Sequence, residues 1–175
     1  MNANPPAGSP GEPPRPLQPL GSSYQGLSGW LIVVQIGLWL LFIMILNLLF
    51  SEIFPIYQSN TWSLLTTPES EYYHSMWSVL IIFETVANLL TLMLLLMVLT
   101  LFYRKKKLLP TMIIVLYIWN ILSSFADYSL ASLVPGGQDA DSLEALKPLV
   151  RSSIFSVIWI IYFIRSKRVK ATFVN

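Results

Sequence analysis

Long runs of apolar residues, separated by shorter polar stretches, make up most of the chain after residue 26. Four such runs cover about 27–50, 78–103, 109–130 and 148–165. An α-helix needs about 20 residues to cross roughly 30 Å of hydrocarbon, and in lipid only helices and closed barrels satisfy their own backbone hydrogen bonds. The pattern therefore predicts an all-α integral membrane protein with four transmembrane helices.

The segments that flank these runs differ from them in composition. Residues 1–26 hold seven of the 12 prolines and four of the eight glycines, and such a segment buries too little apolar surface to offset the entropy cost of ordering it. We expect a disordered cytoplasmic tail over 1–26, a membrane domain over 27–165 and a basic cytoplasmic tail over 166–175. In the connection after the first run, residues 67–69 (TPE) predict the start of a further helix.

Positive charges are concentrated in segments that would lie on one side of the membrane. The N-terminal segment, the second connection and the C-terminal segment together hold nine of the 11 lysines and arginines, whereas six of the nine acids lie on the other side. Because Lys and Arg are enriched in cytoplasmic loops, both termini are predicted to be cytoplasmic. Cations at that surface are also expected to contact anionic lipid headgroups. These cations are Arg104, Lys105, Lys106, Lys107, Arg165, Lys167, Arg168 and Lys170.

The composition excludes several classes of protein. Hydrophobic residues make up 54% of the chain and charged residues 11%, far below the roughly 25% charged residues of soluble domains. With 11 cations against nine acids, the chain lacks a broad cationic surface for nucleic acid. It has no cysteine and one histidine, His74, which excludes thiolate zinc sites and histidine-rich metal sites. We expect no cofactor and no metal, and interpret Glu69 and Glu71 as ordinary surface acids.

Three charged residues lie inside the predicted helices, namely Glu84, Asp127 and Arg151. Counted at about 1.5 Å per residue from the cytoplasmic helix ends, all three fall in the outer third of the bilayer or at its edge. Unpaired charges at such depths are costly. We therefore expect Arg151 to lie between the two carboxylates in an ion-pair cluster.

Amide side chains extend this cluster along the helix faces. Glu84 and Asn88 are four residues apart, and Asn120 and Asp127 are seven apart, which places each pair on one face of its helix. The candidate site thus comprises Glu84, Asn88, Asn120, Asp127 and Arg151. It could be a polar pocket that opens outward and takes a small polar ligand or a proton. The favoured interpretation is a set of interhelical hydrogen bonds and an ion pair that fixes packing without a ligand.

Several stretches resemble a known family. They are residues 27–31 (LSGWL), Phe83-Glu84 followed by Asn88, and residues 162–173 (YFIRSKRVKATF). Together they resemble the bacterial membrane-protein family catalogued as domain of unknown function 2569, over roughly 27–174. The resemblance implies a four-helix protein of the bacterial inner (cytoplasmic) membrane without an established activity. Val169 and Phe173, four residues apart, would share the apolar face of an amphipathic helix on the inner leaflet.

Three functions follow from these observations. The first and most favoured is a non-enzymatic envelope protein that binds membrane lipids or an unidentified membrane or envelope protein. The second is a small-molecule transporter or ligand-binding bundle that uses the outer polar pocket. The third, an enzyme acting on lipid, is the least favoured, because the sequence contains no nucleophile elbow and no glycine-rich phosphate loop.

Overall fold

A computed structural model of the chain describes residues 30–136 and 143–173. Its elements are α1 (Trp30–Leu48), a π-helical segment (Leu49–Ile53), α2 (Phe54–Gln58), α3 (Thr61–Thr66), α4 (Ser75–Tyr103), α5 (Leu109–Ala131), α6 (Leu143–Arg165) and α7 (Lys167–Thr172). Every regular element within these residues is helical, which confirms the all-α fold class. The proline-rich segment 1–26 lies outside the described residues.

Four helices in the described part of the chain are long and apolar enough to cross a membrane. They are Trp30–Gln58, Ser75–Tyr103, Leu109–Ala131 and Leu146–Arg165. The first is longer than the predicted 27–50, because the π-helical segment and α2 continue α1. The last differs at its start, where α6 is helical from Leu143 and contains Pro148. Pro148, the sixth residue of α6, lacks the N–H that would bond to the Glu144 carbonyl, and its ring crowds that carbonyl.

The two ends of the bundle differ in charge and in packing. We call the end with the α4–α5 turn (104–108) and α7 the basic end, and the opposite end, with residues 49–74, the loop end. In the half nearer the basic end, α1, α4 and α5 bury a continuous apolar core. It contains Leu31, Val34, Leu38, Leu95, Val98, Leu99, Phe102, Leu109, Ile113 and Leu116. Gln35 Nε2 and Trp39 Nε1 of α1 both donate to Tyr103 Oη, each at 2.9 Å, so α1 is joined to α4 in this half.

The short helix α7 closes the basic end. Ser166 caps it, because its hydroxyl accepts a hydrogen bond from the Val169 N–H. Val169 and Phe173 are 0% and 4% exposed, and the Phe173 and Phe102 rings are 5.7 Å apart. The predicted pairing of Val169 and Phe173 on one face is thus present. The face packs against the bundle, however, rather than lying on the lipid leaflet.

The connection between α3 and α4 differs from the prediction. Thr67 ends α3, since its N–H donates to the Ser63 carbonyl, and residues 68–72 form turns instead of a helix. The predicted helix start at 67–69 is therefore wrong. The backbone of Thr67 is extended, as expected for a residue before proline, and the chain then folds back on α3. Helix α4 begins at Ser75 and is capped by His74, whose Nδ1 accepts from the Met76 N–H.

The turn between α4 and α5 requires an unusual backbone conformation at one lysine. Lys105 has a φ of 51°, in the left-handed region that favours glycine. The Lys106 N–H donates to the Leu101 carbonyl, and the Lys105 N–H donates to that of Phe102. These two bonds are the Schellman arrangement that ends many helices.

We predict that Lys105→Gly stabilises the protein by about 1 kcal/mol, because glycine adopts this φ without a Cβ clash. The matched control is Lys106→Gly, which removes the same charge at a residue without a positive φ. It should leave the stability unchanged or lower it. Melting temperatures in lipid nanodiscs check both variants, and equal shifts in the two would contradict the assignment of strain to Lys105.

Candidate functional site

A polar groove opens between α1 and the α4–α5 pair in the half of the bundle nearer the loop end. Its volume is about 750 Å³, within the usual range of small-molecule sites. The lining residues are Leu41, Ile43, Met44, Ile45, Asn47, Leu48, Glu52, Ile53, Ile56, Phe83, Glu84, Ala87, Asn88, Thr91, Asn120, Ser123, Ser124 and Asp127. Four of the five predicted site residues are therefore together, namely Glu84, Asn88, Asn120 and Asp127.

On α4 and on α5, the side chains that face the interior of the bundle form a row along the helix, which we call its inward stripe. The groove exists because both inward stripes change from apolar to polar residues half-way along the helix. On α4 the stripe runs from the basic end through Phe102, Leu99, Leu95, Thr91, Asn88 and Glu84. On α5 it runs through Leu109, Ile113, Leu116, Asn120, Ser123 and Asp127. Successive members are three or four residues apart, which keeps each stripe on one helix face. Apolar packing therefore forms the floor of the groove, and polar side chains form its wall.

Hydrogen bonds between helices mark the level at which the stripes change. Trp119 Nε1 donates to Thr91 Oγ1 at 2.9 Å, and the Thr91 hydroxyl donates to the Ala87 carbonyl. Asn120 Oδ1 accepts from Ser156 Oγ of α6 at 3.4 Å. These contacts link α4, α5 and α6 at the bottom of the groove, where Thr91 and Asn120 line it.

Glu84 and Asp127 face each other near the top of the groove. Both side chains line the groove, and their carboxyl groups are close enough to interact electrostatically. The Asp127 Oδ1 atom is buried and has no hydrogen-bond partner. An acceptor without a donor is costly in a buried position, so a rotation of the Asp127 side chain that brought this oxygen to a donor in the groove would be favourable.

A third acid, Glu52, reaches the groove from the π-helical segment and interacts electrostatically with Glu84. Pro55 explains the π-helical turn. It lacks the N–H that would bond to the Ser51 carbonyl, and its ring would clash with that carbonyl in a regular helix. The chain instead forms a wider turn, in which the Phe54 N–H donates to the Leu49 carbonyl five residues back.

The sequence prediction omits Glu52, because the predicted first membrane helix ends at residue 50. Helical periodicity could have predicted that Glu52 faces the interior. The inward stripe of α1 continues beyond the end of the apolar run. Its members are Leu31, Val34, Leu38, Leu41, Ile45, Leu48 and Glu52. Alternating steps of three and four residues carry the stripe into Glu52. The inward stripes of α1, α4 and α5 thus each reach an acid toward the loop end.

Arg151 is the predicted site residue that the structure does not bring into the groove. It is exposed and lies with Lys147, Val150 and Ile154 on the outer face of α6. It precedes the buried Ser156 by five residues, and at 100° per residue it points about 140° away from that side chain. The expected ion pair of Arg151 with Glu84 and Asp127 is therefore not formed. Counting residues along a helix gives a depth but no direction around the helix axis.

The predicted headgroup cations lie at the basic end. The four residues 104–107 are exposed, as are Arg165, Lys167 and Lys170, and Arg168 belongs to α7. This arrangement leaves their contact with lipid headgroups a prediction. At the other end of the protein, Lys147 pairs with Glu144 one helical turn away on α6.

A comparison with known protein families finds a match over most of the chain. The family model described as "Protein of unknown function (DUF2569)" matches residues 24–174. No curated protein and no solved structure matches the chain.

We predict that the groove contains water, and the chain's lack of cysteine allows a direct measurement. A Ser124→Cys variant should react with a charged, water-soluble methanethiosulfonate reagent in nanodiscs, because Ser124 lines the groove. Leu122→Cys is the control at similar depth. Leu122 is 60% exposed on the bundle surface and would face hydrocarbon, where the reagent does not dissolve. Equal modification rates for the two variants would contradict a hydrated groove.

Proposed function

Because this chain belongs to the DUF2569 family, whose function is unknown, we propose its function from the polar groove. We propose that the protein is a non-enzymatic membrane protein that binds a small polar ligand in the half of the bundle nearer the loop end. The observation that carries this proposal is a groove of about 750 Å³ whose polar wall ends on an apolar floor.

The apolar floor favours binding over passive conduction. Below Thr91 and Asn120, the helices bury only apolar side chains along their inward stripes, including Leu95, Leu116 and Phe102. A polar solute that entered the groove would meet hydrocarbon-like packing half-way through the bundle, where an unpaired polar group is costly. A transport cycle would require the half nearer the basic end to open. Binding from one side requires no such change.

The chemistry of the lining supports a non-enzymatic role. Within the described lining, the titratable side chains are the acids Glu52, Glu84 and Asp127. The single histidine, His74, caps α4 and does not line the groove. Amides and hydroxyls supply the remaining polar atoms of the wall. Such groups orient a ligand through hydrogen bonds and need no bond-breaking step.

We further propose that the protein lies in the bacterial inner membrane with its basic end in the cytoplasm. This orientation follows the distribution of Lys and Arg between the connections, and the bacterial assignment follows the sequence resemblance. The groove would then open toward the outside. The cations of the basic end would contact anionic headgroups of the inner leaflet, at about 1 kcal/mol for each residue near the surface.

A second candidate is the docking of another membrane or envelope protein on the loop end. The exposed aromatic side chains there favour it, since Phe54 and Tyr72 are 50% and 66% exposed and Tyr57 stacks on Trp62. Aromatic residues are enriched in protein interfaces. They are also enriched at the membrane surface, which the ligand-binding proposal accommodates without a partner.

We predict that the groove binds at least one of five water-soluble probes: choline, glycine betaine, glucose, succinate and n-butylammonium. Binding should raise the melting temperature of the parent protein in nanodiscs in a saturable way, because a ligand that binds only the folded state stabilises it. Ser124→Leu should abolish the shift by filling the groove. Ser129→Leu is the control, since Ser129 lies on an exposed face of α5 outside the groove. If no probe produces a saturable shift, ligand binding is rejected and partner docking becomes the better proposal.

We also predict the orientation in cells. A Ser59→Cys variant should react with a membrane-impermeant maleimide in intact spheroplasts, because Ser59 lies exposed at the loop end. A Lys106→Cys variant at the basic end should react only after the membrane is permeabilised. The opposite labelling pattern would reverse the proposed orientation and leave the groove itself unaffected.

A further inference from the structure

The charges and the shape of the groove narrow the chemistry of its ligand. Resting on the ligand-binding function proposed above, we infer that the ligand is an organic cation that carries an ammonium group and an apolar portion. Four features of the groove lead to this inference. They are its net charge, a free hydrogen-bond acceptor, the spread of the acids and the contrast between its two walls.

The charge of the described lining is entirely acidic. Glu52, Glu84 and Asp127 come from the π-helical segment, α4 and α5, and the lining contains no Lys, Arg or His. Acids that converge between low-dielectric walls attract cations and repel anions. An anionic ligand would meet uncompensated negative charge, and a neutral ligand would leave the acids without a counter-charge.

A free acceptor indicates the kind of cationic group. Asp127 lines the groove, and its buried Oδ1 atom has no hydrogen-bond partner, so a small rotation of the side chain would present this acceptor to a ligand. The Asn88 amide donates to the carbonyl of Glu84 in its own helix, so that donor is already used. An ammonium N–H supplies what Asp127 lacks, and hydrogen bonds between charged groups are the stronger ones. A quaternary ammonium, without an N–H, would satisfy the charge but not this acceptor.

The three acids are too far apart to favour a bare metal ion as the ligand. Among the described residues, no three His, Asp or Glu side chains are close enough together to hold a metal. The groove is also far larger than an ion needs, at about 750 Å³. The acids are therefore better placed to contact an organic molecule than to coordinate a single metal ion.

The two walls of the groove differ in polarity. The α4–α5 wall carries the carboxyl pair, the amides of Asn88 and Asn120 and two serine hydroxyls, whereas α1 contributes mostly apolar side chains. The apolar lining of α1 is Leu41, Ile43, Met44, Ile45 and Leu48. A ligand that fills the groove needs an apolar side for α1 and a charged end for Glu84 and Asp127. An alkylammonium ion has both.

The test uses three probes with the same four-carbon chain and different charges: n-butylammonium, 1-butanol and butyrate. Binding to the protein in nanodiscs is measured by titration calorimetry, with empty nanodiscs as the reference for partitioning into lipid. We expect saturable binding of butylammonium and none of butanol or butyrate. Glu84→Gln should weaken butylammonium binding about tenfold or more, as expected for loss of a charge-assisted hydrogen bond. Glu69→Gln removes an exposed acid outside the groove and should leave binding unchanged.

Glu52→Gln is a second variant for the case in which Glu84→Gln does not fold. Glu52 is exposed, so its replacement should preserve the fold and still weaken the binding of butylammonium.

Other outcomes overturn the inference. Butanol or butyrate binding as tightly as butylammonium would show that charge does not select the ligand, and the proposed ligand-binding function would stand. Butylammonium binding that Glu84→Gln and Glu52→Gln leave unchanged would show that the acids do not contact it. Failure of all three probes overturns the cationic ligand. The saturable shift with choline, glycine betaine, glucose or succinate then decides separately whether the groove binds a ligand at all.

Discussion

The apolar contacts that α1, α4 and α5 make in the half nearer the basic end determine where the polar groups of the groove lie. Each helix presents one stripe to the others, and in this half the stripes consist of residues such as Leu38, Leu95 and Ile113. This packing fixes the rotation of each helix about its axis. The same rotation also turns the part of each stripe nearer the loop end toward the interior of the bundle. The acids therefore converge because they continue stripes whose direction is already set by packing.

The carboxyl groups are retained at a cost in stability. An ionisable side chain within a membrane segment is expensive and usually faces a cavity or a partner. Glu84 and Asp127 do both, since they line the groove and interact with each other. Apolar residues of similar size at these positions would give a more stable fold, as replacements of buried charged groups in other proteins show. The unpartnered oxygen of Asp127 adds to the cost in the free protein, and a ligand with an N–H donor would remove it.

The predictions that rest on apolar run lengths and helical periodicity agree with the structure. The four membrane segments and the convergence of Glu84, Asn88, Asn120 and Asp127 follow from apolar run lengths and from spacings of three, four and seven residues.

Arg151 was misplaced because depth along a helix was used without direction around it, although Ser152 and Ser156 indicated which face of α6 lies inward. Glu52 was missed because the first helix was ended where its apolar run ends. The wider turn before Pro55 depends on backbone geometry that residue types alone do not specify. The docking of Val169 and Phe173 under the bundle could not be predicted either, because an amphipathic helix fits a lipid surface and a protein surface equally well.

A double-mutant cycle on Glu84 and Asp127 tests most directly whether helix packing brings these two carboxyl groups together. The free energy of unfolding in lipid bicelles would be measured for the parent, Glu84→Ala, Asp127→Ala and the double variant. If the two groups interact as the structure has them, the effects of the single changes will be non-additive by about 0.5–3 kcal/mol, the range for residues in contact. Effects that add to within about 0.3–0.5 kcal/mol, as for independent sites, would show that the pair is not formed and would contradict the groove as described.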